Sequence, residues 1–155
     1  MSKAAQRSAA RLAAAQALYQ MEVGGASLPD ILAEFEAHWI GREVEGDQYK
    51  PAEIGFFRDI VSGVLKDQVA VDRGVDATLT EDWPLKRVEA LMRAILRAAH
   101  YELRARADVP ARVVVKEYVD VAGAFYGPEE CGMINGVLDT LAKKTRPAEF
   151  DGPQN

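Results

Sequence analysis

The sequence predicts an all-α fold, a compact bundle of about seven helices in one domain. Three observations lead there. Apolar residues recur at spacings of three and four through most segments, the period of a helix with one buried face. No stretch shows the sustained polar and apolar alternation of a half-buried strand. Glycine and proline then cut the chain into helix-length pieces, at Gly24 with Gly25, Pro51, Pro84, Pro110 and Gly127 with Pro128.

The first helix is expected from about Lys3 to Val23, with Leu12, Tyr19 and Val23 near one face, and the glycine pair stops it. In "SLPDILAEFEAHW", Ser27 and Asp30 resemble a capping box. Leu28, Ile31, Leu32, Phe35 and Trp39 then follow at the spacing of one helix face. A polar, glycine-containing piece, residues 41–50, precedes Pro51, which opens a helix with Ile54, Phe57, Val61, Val64 and Leu65 facing inward. The segment "VDRGVDATLTEDWP" leaves a boundary open, because Gly74 either ends that helix or sits inside it near a bend. From about Pro84 one strong helix is expected, with an inward stripe of Val88, Leu91, Ile95, Ala99 and Glu102. After Pro110 a further helix brings Val114, Tyr118, Val121 and Phe125 together. A last one turns Ile134, Val137, Leu138 and Leu141 inward and carries Lys143 and Lys144 in its final turn, where the helix dipole favours cations. Residues 147–155 are expected to form a flexible tail on a domain spanning 1–146.

Charge is spread unevenly. The chain has a net charge of −5, yet Lys3, Arg7 and Arg11 are unopposed up to Met21. Residues 22–85 then hold five basic and fourteen acidic side chains, and residues 86–106 six basic and two acidic ones. Such a surface attracts anions on one face and repels polyanions elsewhere, which suits selective rather than indiscriminate nucleic-acid binding. A single cysteine, Cys131, excludes an internal disulfide, and with two histidines, His38 and His100, there is no thiolate and imidazole set for structural zinc. No run approaches the roughly 18 apolar residues of a membrane span and residues 1–21 lack the apolar core and cleavage site of a signal peptide, so a soluble, cytoplasmic protein is expected.

Lys3, Arg7 and Arg11 are four apart, an oblique basic row that Ala15 and Tyr19 continue with a drift of about 40° per step. Cations for phosphates and a ring for a base are what a single-stranded nucleic acid needs; the bland alternative is a solvated helix with a core tyrosine. Asp59, Asp82 and Glu102 read as isolated surface or capping acids, His100 as a partly buried, hydrogen-bonded histidine, and Tyr101 and Tyr118 as core or rim aromatics. Cys131 lies near a helix start, but no His or Asp nearby in sequence supports a nucleophile. No phosphate-cradling loop, dinucleotide fingerprint or serine elbow occurs, so neither an enzyme nor a cofactor is expected. Asn135 followed by Gly136 is an unfavourable pair inside a helix. Two readings are open for it: close packing over Gly136, or an amide exposed for hydrogen bonds to a base or backbone.

"AAQALYQME", "FFRDIVSGV", "ILRAAHYEL" with "DVP", "VKEYVDVAGAFYG" and "INGVLDTLAKKTRP" together, in that order and over almost the whole chain, resemble the NusB family of transcription antitermination factors. The resemblance implies an all-helical fold without catalysis. It implies binding of boxA-type single-stranded RNA with a NusE-like small-subunit ribosomal protein, and indirect association with other Nus factors and RNA polymerase. It assigns RNA contacts to Lys3, Arg7, Arg11 and Tyr19, and to a second patch at Phe125 and Asn135, with Glu89 and Arg93 as contacts for the protein partner. The first helix has fewer arginines than some relatives, and Gly132 and Met133 stand where a Lys and a Phe are common. Weak RNA affinity for the isolated protein and reliance on the partner are therefore expected. The alternatives are a helical scaffold that binds only protein, or a domain like the RNA-binding part of ribosomal RNA cytosine methyltransferases. A small hydrolase or transferase using scattered acids is a third.

Overall fold

The computed structural model describes residues 2–40, 51–80 and 84–150. Among these residues there are helices and no strand. The helices are α1 (Lys3–Gly24), α2 (Leu28–Ile40), α3 (Pro51–Lys66), α4 (Gln68–Thr78), α5 (Ala90–Ala105), α6 (Ala111–Gly123), α7 (Pro128–Thr145) and a single turn, α8 (Pro147–Phe150). The expected polar segment 41–50, Asp82, the side chain of Trp39 and residues 151–155 lie outside the described part.

α1 begins where the Ser2 side chain accepts a hydrogen bond from the Ala5 N–H, 3.1 Å, and ends at Gly25. Gly25 adopts φ 74°, left-handed backbone that favours glycine, and its N–H returns to the Met21 carbonyl. The buried face of α1 is not the expected one. Leu12 and Tyr19 are half-buried and Val23 is exposed, while Ala10, Ala13, Ala14, Ala17 and Leu18 form the core side. Small side chains let this helix lie close against α3 and α5, so α1 is packed as a central element rather than a surface one.

Ser27 caps α2 by accepting from the Asp30 N–H at 3.3 Å. Phe35 on α2 stacks on Phe57 of α3, their centroids 5.4 Å apart. α3 ends at Lys66, and α4 runs straight through Gly74, which settles the open boundary. Two glycines are bays for rings of α5. A Cβ on Gly63 would stand 2.1 Å from Tyr101 Cζ, and one on Gly74 would stand 2.2 Å from His100 Cε1. His100 is buried, its Nδ1 2.9 Å from the Val71 carbonyl, and burial holds its pKa below the ordinary 6.5.

The single helix expected from Pro84 is two pieces. Leu85–Arg87 is a 3-10 turn, Val88 is extended and buried, and α5 starts at Ala90 with the Glu89 carboxylate capping the Leu91 N–H. Tertiary bonds hold the break open: Asp76 accepts from the Leu85 N–H at 2.8 Å, and Arg93 donates to the carbonyls of Lys86 and Val88. The tail expected to loosen at Pro147 does not do so through Phe150. Arg146 donates to the carbonyls of Glu102, Leu103, Arg106 and Val109, satisfying the open C-terminal end of α5. Glu149 accepts from the Ala111 N–H at 2.8 Å and so caps α6.

Candidate nucleic-acid interface

The basic row of α1 does not stay on one surface. Lys3 is exposed in the first turn. Arg7 is partly buried, its guanidinium 4.5 Å from the centroid of the buried Phe56 ring and its Nη1 3.5 Å from Asp108 Oδ2. Arg11 lies inside the protein, 2% exposed. It grips Glu102 of α5 with two bonds, Nε to Oε2 at 2.8 Å and Nη2 to Oε1 at 3.0 Å, and reaches Glu117 of α6 with Nη1 at 2.8 Å. The Tyr118 hydroxyl donates to the same Glu102 carboxylate, and its pKa is pushed well up by burial and then by that charge. Arg11 is therefore corrected from an RNA contact to an internal tie. Four residues per step drift by about 40°, which turns the row from the exposed Lys3 into the core at Arg11 and Ala15. Glu102 is corrected with it: fully buried, not a surface acid.

Tyr19, half-buried, lies about 24 Å further along the axis than Lys3 and is turned by roughly 160° from it. It belongs to a different neighbourhood, near Tyr126. That hydroxyl donates to Glu89, and its pKa is raised by burial, by this bond and, more weakly, by Tyr19. Phe125, the residue before Tyr126, is 40% exposed. One end of α1 thus presents cations and the other leads to an aromatic corner between α6 and α7.

Asn135 and Gly136 are both exposed, and nothing lies within 4 Å of where a Gly136 Cβ would stand. Close packing over Gly136 is not what the structure shows. The Asn135 amide lines an open groove of about 600 Å³ between α6 and α7, together with Arg112, Lys116, Lys143 and the half-buried Cys131.

Glu89 is exposed, but its two oxygens cap α5 and receive Tyr126. Arg93 bonds Glu22 through Nε, 3.0 Å, and Nη2, 2.5 Å, while Arg97 pairs with Asp72 at 2.7 and 3.0 Å and reaches Glu22 at 3.3 Å. These bonds tie α1, α4 and α5 beside a second groove of about 700 Å³ that Arg73 and Lys86 also line.

Arg106 and Asp108, for which the sequence alone suggested no role, complete the basic end of α1. Arg106, one of the cations counted in residues 86–106, holds Asp108 with Nε and Nη2, both at 3.1 Å, and Asp59 with Nη1 at 3.3 Å. Its guanidinium also faces Phe56, 5.0 Å from the centroid, so that with Arg7 and Arg11 three cations surround one ring. Asp59 is no isolated surface acid. It also accepts from the Tyr101 hydroxyl at 2.7 Å, and Tyr101, by burial and then by this bond, titrates at about 12. Among the described residues no cluster of three or more His, Cys, Asp or Glu is arranged to hold a metal ion, and no helix is long and apolar enough to cross a membrane.

The NusB family model matches residues 8–143. The transcription antitermination protein NusB of Nitrobacter winogradskyi is 62% identical over 148 residues, covering 96% of this chain and 92% of that one. The protein of the same description from Bradyrhizobium diazoefficiens is 61% identical over 148 residues, 96% of this chain and 90% of the other. Among solved structures, T. maritima NusB superimposes with a TM-score of 0.78 at 28% identity, over 94% of this chain and 97% of that chain.

Proposed function

Because the chain belongs to the NusB family, we propose that it is a transcription antitermination factor that binds boxA-type single-stranded RNA together with a NusE-like small-subunit ribosomal protein. In this reading it acts in the cytoplasm and meets other Nus factors and RNA polymerase through that complex. The family is one of transcription factors rather than enzymes. The observation that carries the RNA reading is the layout of α1: Lys3 and Arg7 at one end for phosphates, Tyr19 leading to the exposed Phe125 at the other for bases. Asn135, exposed in the α6–α7 groove, supplies an amide for a base edge or the RNA backbone.

The partner protein docks at the start of α5. Of the two contacts assigned there, Glu89 is the more exposed, though its oxygens are bonded to the Leu91 N–H and the Tyr126 hydroxyl as the Arg93 guanidinium is to Glu22 and two carbonyls.

The test is fluorescence anisotropy of labelled boxA RNA against a scrambled control, with and without the NusE-like partner, over a range of salt. Preference for boxA that strengthens with the partner and falls in Lys3→Ala with Arg7→Ala supports the reading. Equal, negligible binding to both RNAs with the partner present sinks it and favours a scaffold that binds only protein.

A further inference from the structure

We propose that Arg7 and Arg106 form a phosphate clamp on this RNA surface, and that Asp108 fills the clamp in the free protein as an internal stand-in which the phosphate displaces. The inference rests on the RNA-binding reading above and deepens it, by naming a subsite and the group that guards it.

Asp108 presents one oxygen to Arg106 Nε and the other to Arg106 Nη2, both at 3.1 Å, the two-pronged arrangement that a guanidinium makes equally well with a phosphate. Its Oδ2 also lies 3.5 Å from Arg7 Nη1, so a single oxyanion sits between two guanidinium groups that come from α1 and from the end of α5.

The cations are fixed and the anion is not. Arg7 and Arg106 are both held over Phe56, which is 3% exposed, and Arg106 is further anchored by Asp59, itself held by the Tyr101 hydroxyl. A ligand therefore meets donors already in place, which lowers the ordering cost of binding. The Asp108 side chain is 53% exposed and lies in the short turn between α5 and α6. Ion pairs this open to water hold weakly. The contrast with Arg11 is instructive, because its carboxylates, Glu102 and Glu117, are 0% and 17% exposed and out of reach of an incoming ligand.

Lys3, exposed one turn before Arg7, extends the line of cations outward. Exchange of Asp108 for a phosphate leaves the clamp's charge unchanged, so in the natural protein this contact adds little to the salt dependence of binding. Removing the carboxylate exposes the full charge.

The experiment compares labelled single-stranded RNA binding by the natural protein, Asp108→Asn, the double variant Asp108→Asn with Arg106→Ala, and Glu34→Gln, an equal charge change at an exposed position on α2. Asp108→Asn is expected to bind about tenfold tighter at low salt, with a log affinity against log salt slope steeper by about 0.7, the value for one more single-strand phosphate contact. The double variant loses that gain. Equal effects of Asp108→Asn and Glu34→Gln overturn the proposal. Asp108→Ser serves if the asparagine variant does not fold.

In parallel, the arginine Nε–H signals are followed by NMR during titration with inorganic pyrophosphate. Arg7 and Arg106 should shift in Asp108→Asn at a lower concentration than in the natural protein, and their failure to shift overturns the clamp whatever RNA does. Shifts without any RNA binding would keep the clamp and sink the RNA reading.

Discussion

Burying Arg11 and Glu102 removes two charges from water, which costs several kcal/mol per ion unless each is fully bonded. Here each is: two bonds join them, Glu117 takes a third guanidinium nitrogen, and Tyr118 covers the carboxylate. Arg11→Ala is expected to destabilise the protein by roughly 3–5 kcal/mol, because Glu102 is left charged and unpaired. Replacing both residues, Arg11→Met with Glu102→Leu, should cost less than Arg11→Ala alone. Urea unfolding of the natural protein and the two variants measures this. The pairing had a visible trace in the sequence, an acid closing the apolar stripe of α5 and an arginine among alanines, but nothing local joined two residues 91 positions apart. His100 gives a second prediction. Its folded pKa is depressed chiefly by burial, so the unfolded chain binds its proton more readily. The stability it contributes is present above its ordinary 6.5 and is lost as pH falls through the folded value. Thermal melts from pH 8 to 5 should fall less steeply in His100→Gln than in the natural protein.

Helix boundaries were legible wherever the signal was local. Ser2, Gly25, Ser27, Pro51 and Pro128 mark starts and stops that the chain itself encodes through caps and fixed dihedrals. Boundaries made by distant partners were not. The break at Val88 depends on Asp76 and Arg93, and the retention of Pro147–Phe150 depends on Arg146 finding the end of α5. Gly74 was ambiguous for the same reason, since the ring it accommodates comes from another helix. Arg146 gathers four carbonyls and a carboxylate, and its side chain is only 10% exposed. Arg146→Ala should therefore lower stability by roughly 2–4 kcal/mol, from hydrogen bonds to a charged group worth about 1.5–3 kcal/mol each, part of which water restores. Hydrogen exchange should quicken at the C-terminal end of α5 and the first turn of α6 and leave α2 unchanged.

Across the whole molecule the opening charge pattern means less than its count. The unopposed cations of residues 1–21 meet their counter-charges in space, Arg11 at Glu102 and Glu117 and Arg7 at Asp108, so Lys3 and the outer edge of Arg7 are what α1 offers an anion. The fold and family were legible because helical period and segment order survive in one dimension; the extent of the binding face was not, because ion pairing is decided in three. RNA binding by the isolated protein should thus show a salt slope no steeper than about −1.4, the limit with Lys3 and Arg7 both counted in full, and nearer about −0.7 where exchange with Asp108 cancels the Arg7 contribution. Anisotropy titrations between 50 and 200 mM salt, read as approximate limits, would reveal a steeper value if Arg11 also contributed.

The arginine at the middle of α1 also sets a schedule. A chain leaves the ribosome from its N-terminus at about 5–20 residues per second, so Glu102 is made roughly 5–20 s after the Arg11 it must neutralise. Through that interval the guanidinium has no carboxylate to close over it, and the side of α1 that carries Arg11 faces water. The face of α1 that α5 covers is therefore closed late, and the nascent chain carries that alanine-lined surface open until most of its length has been synthesised.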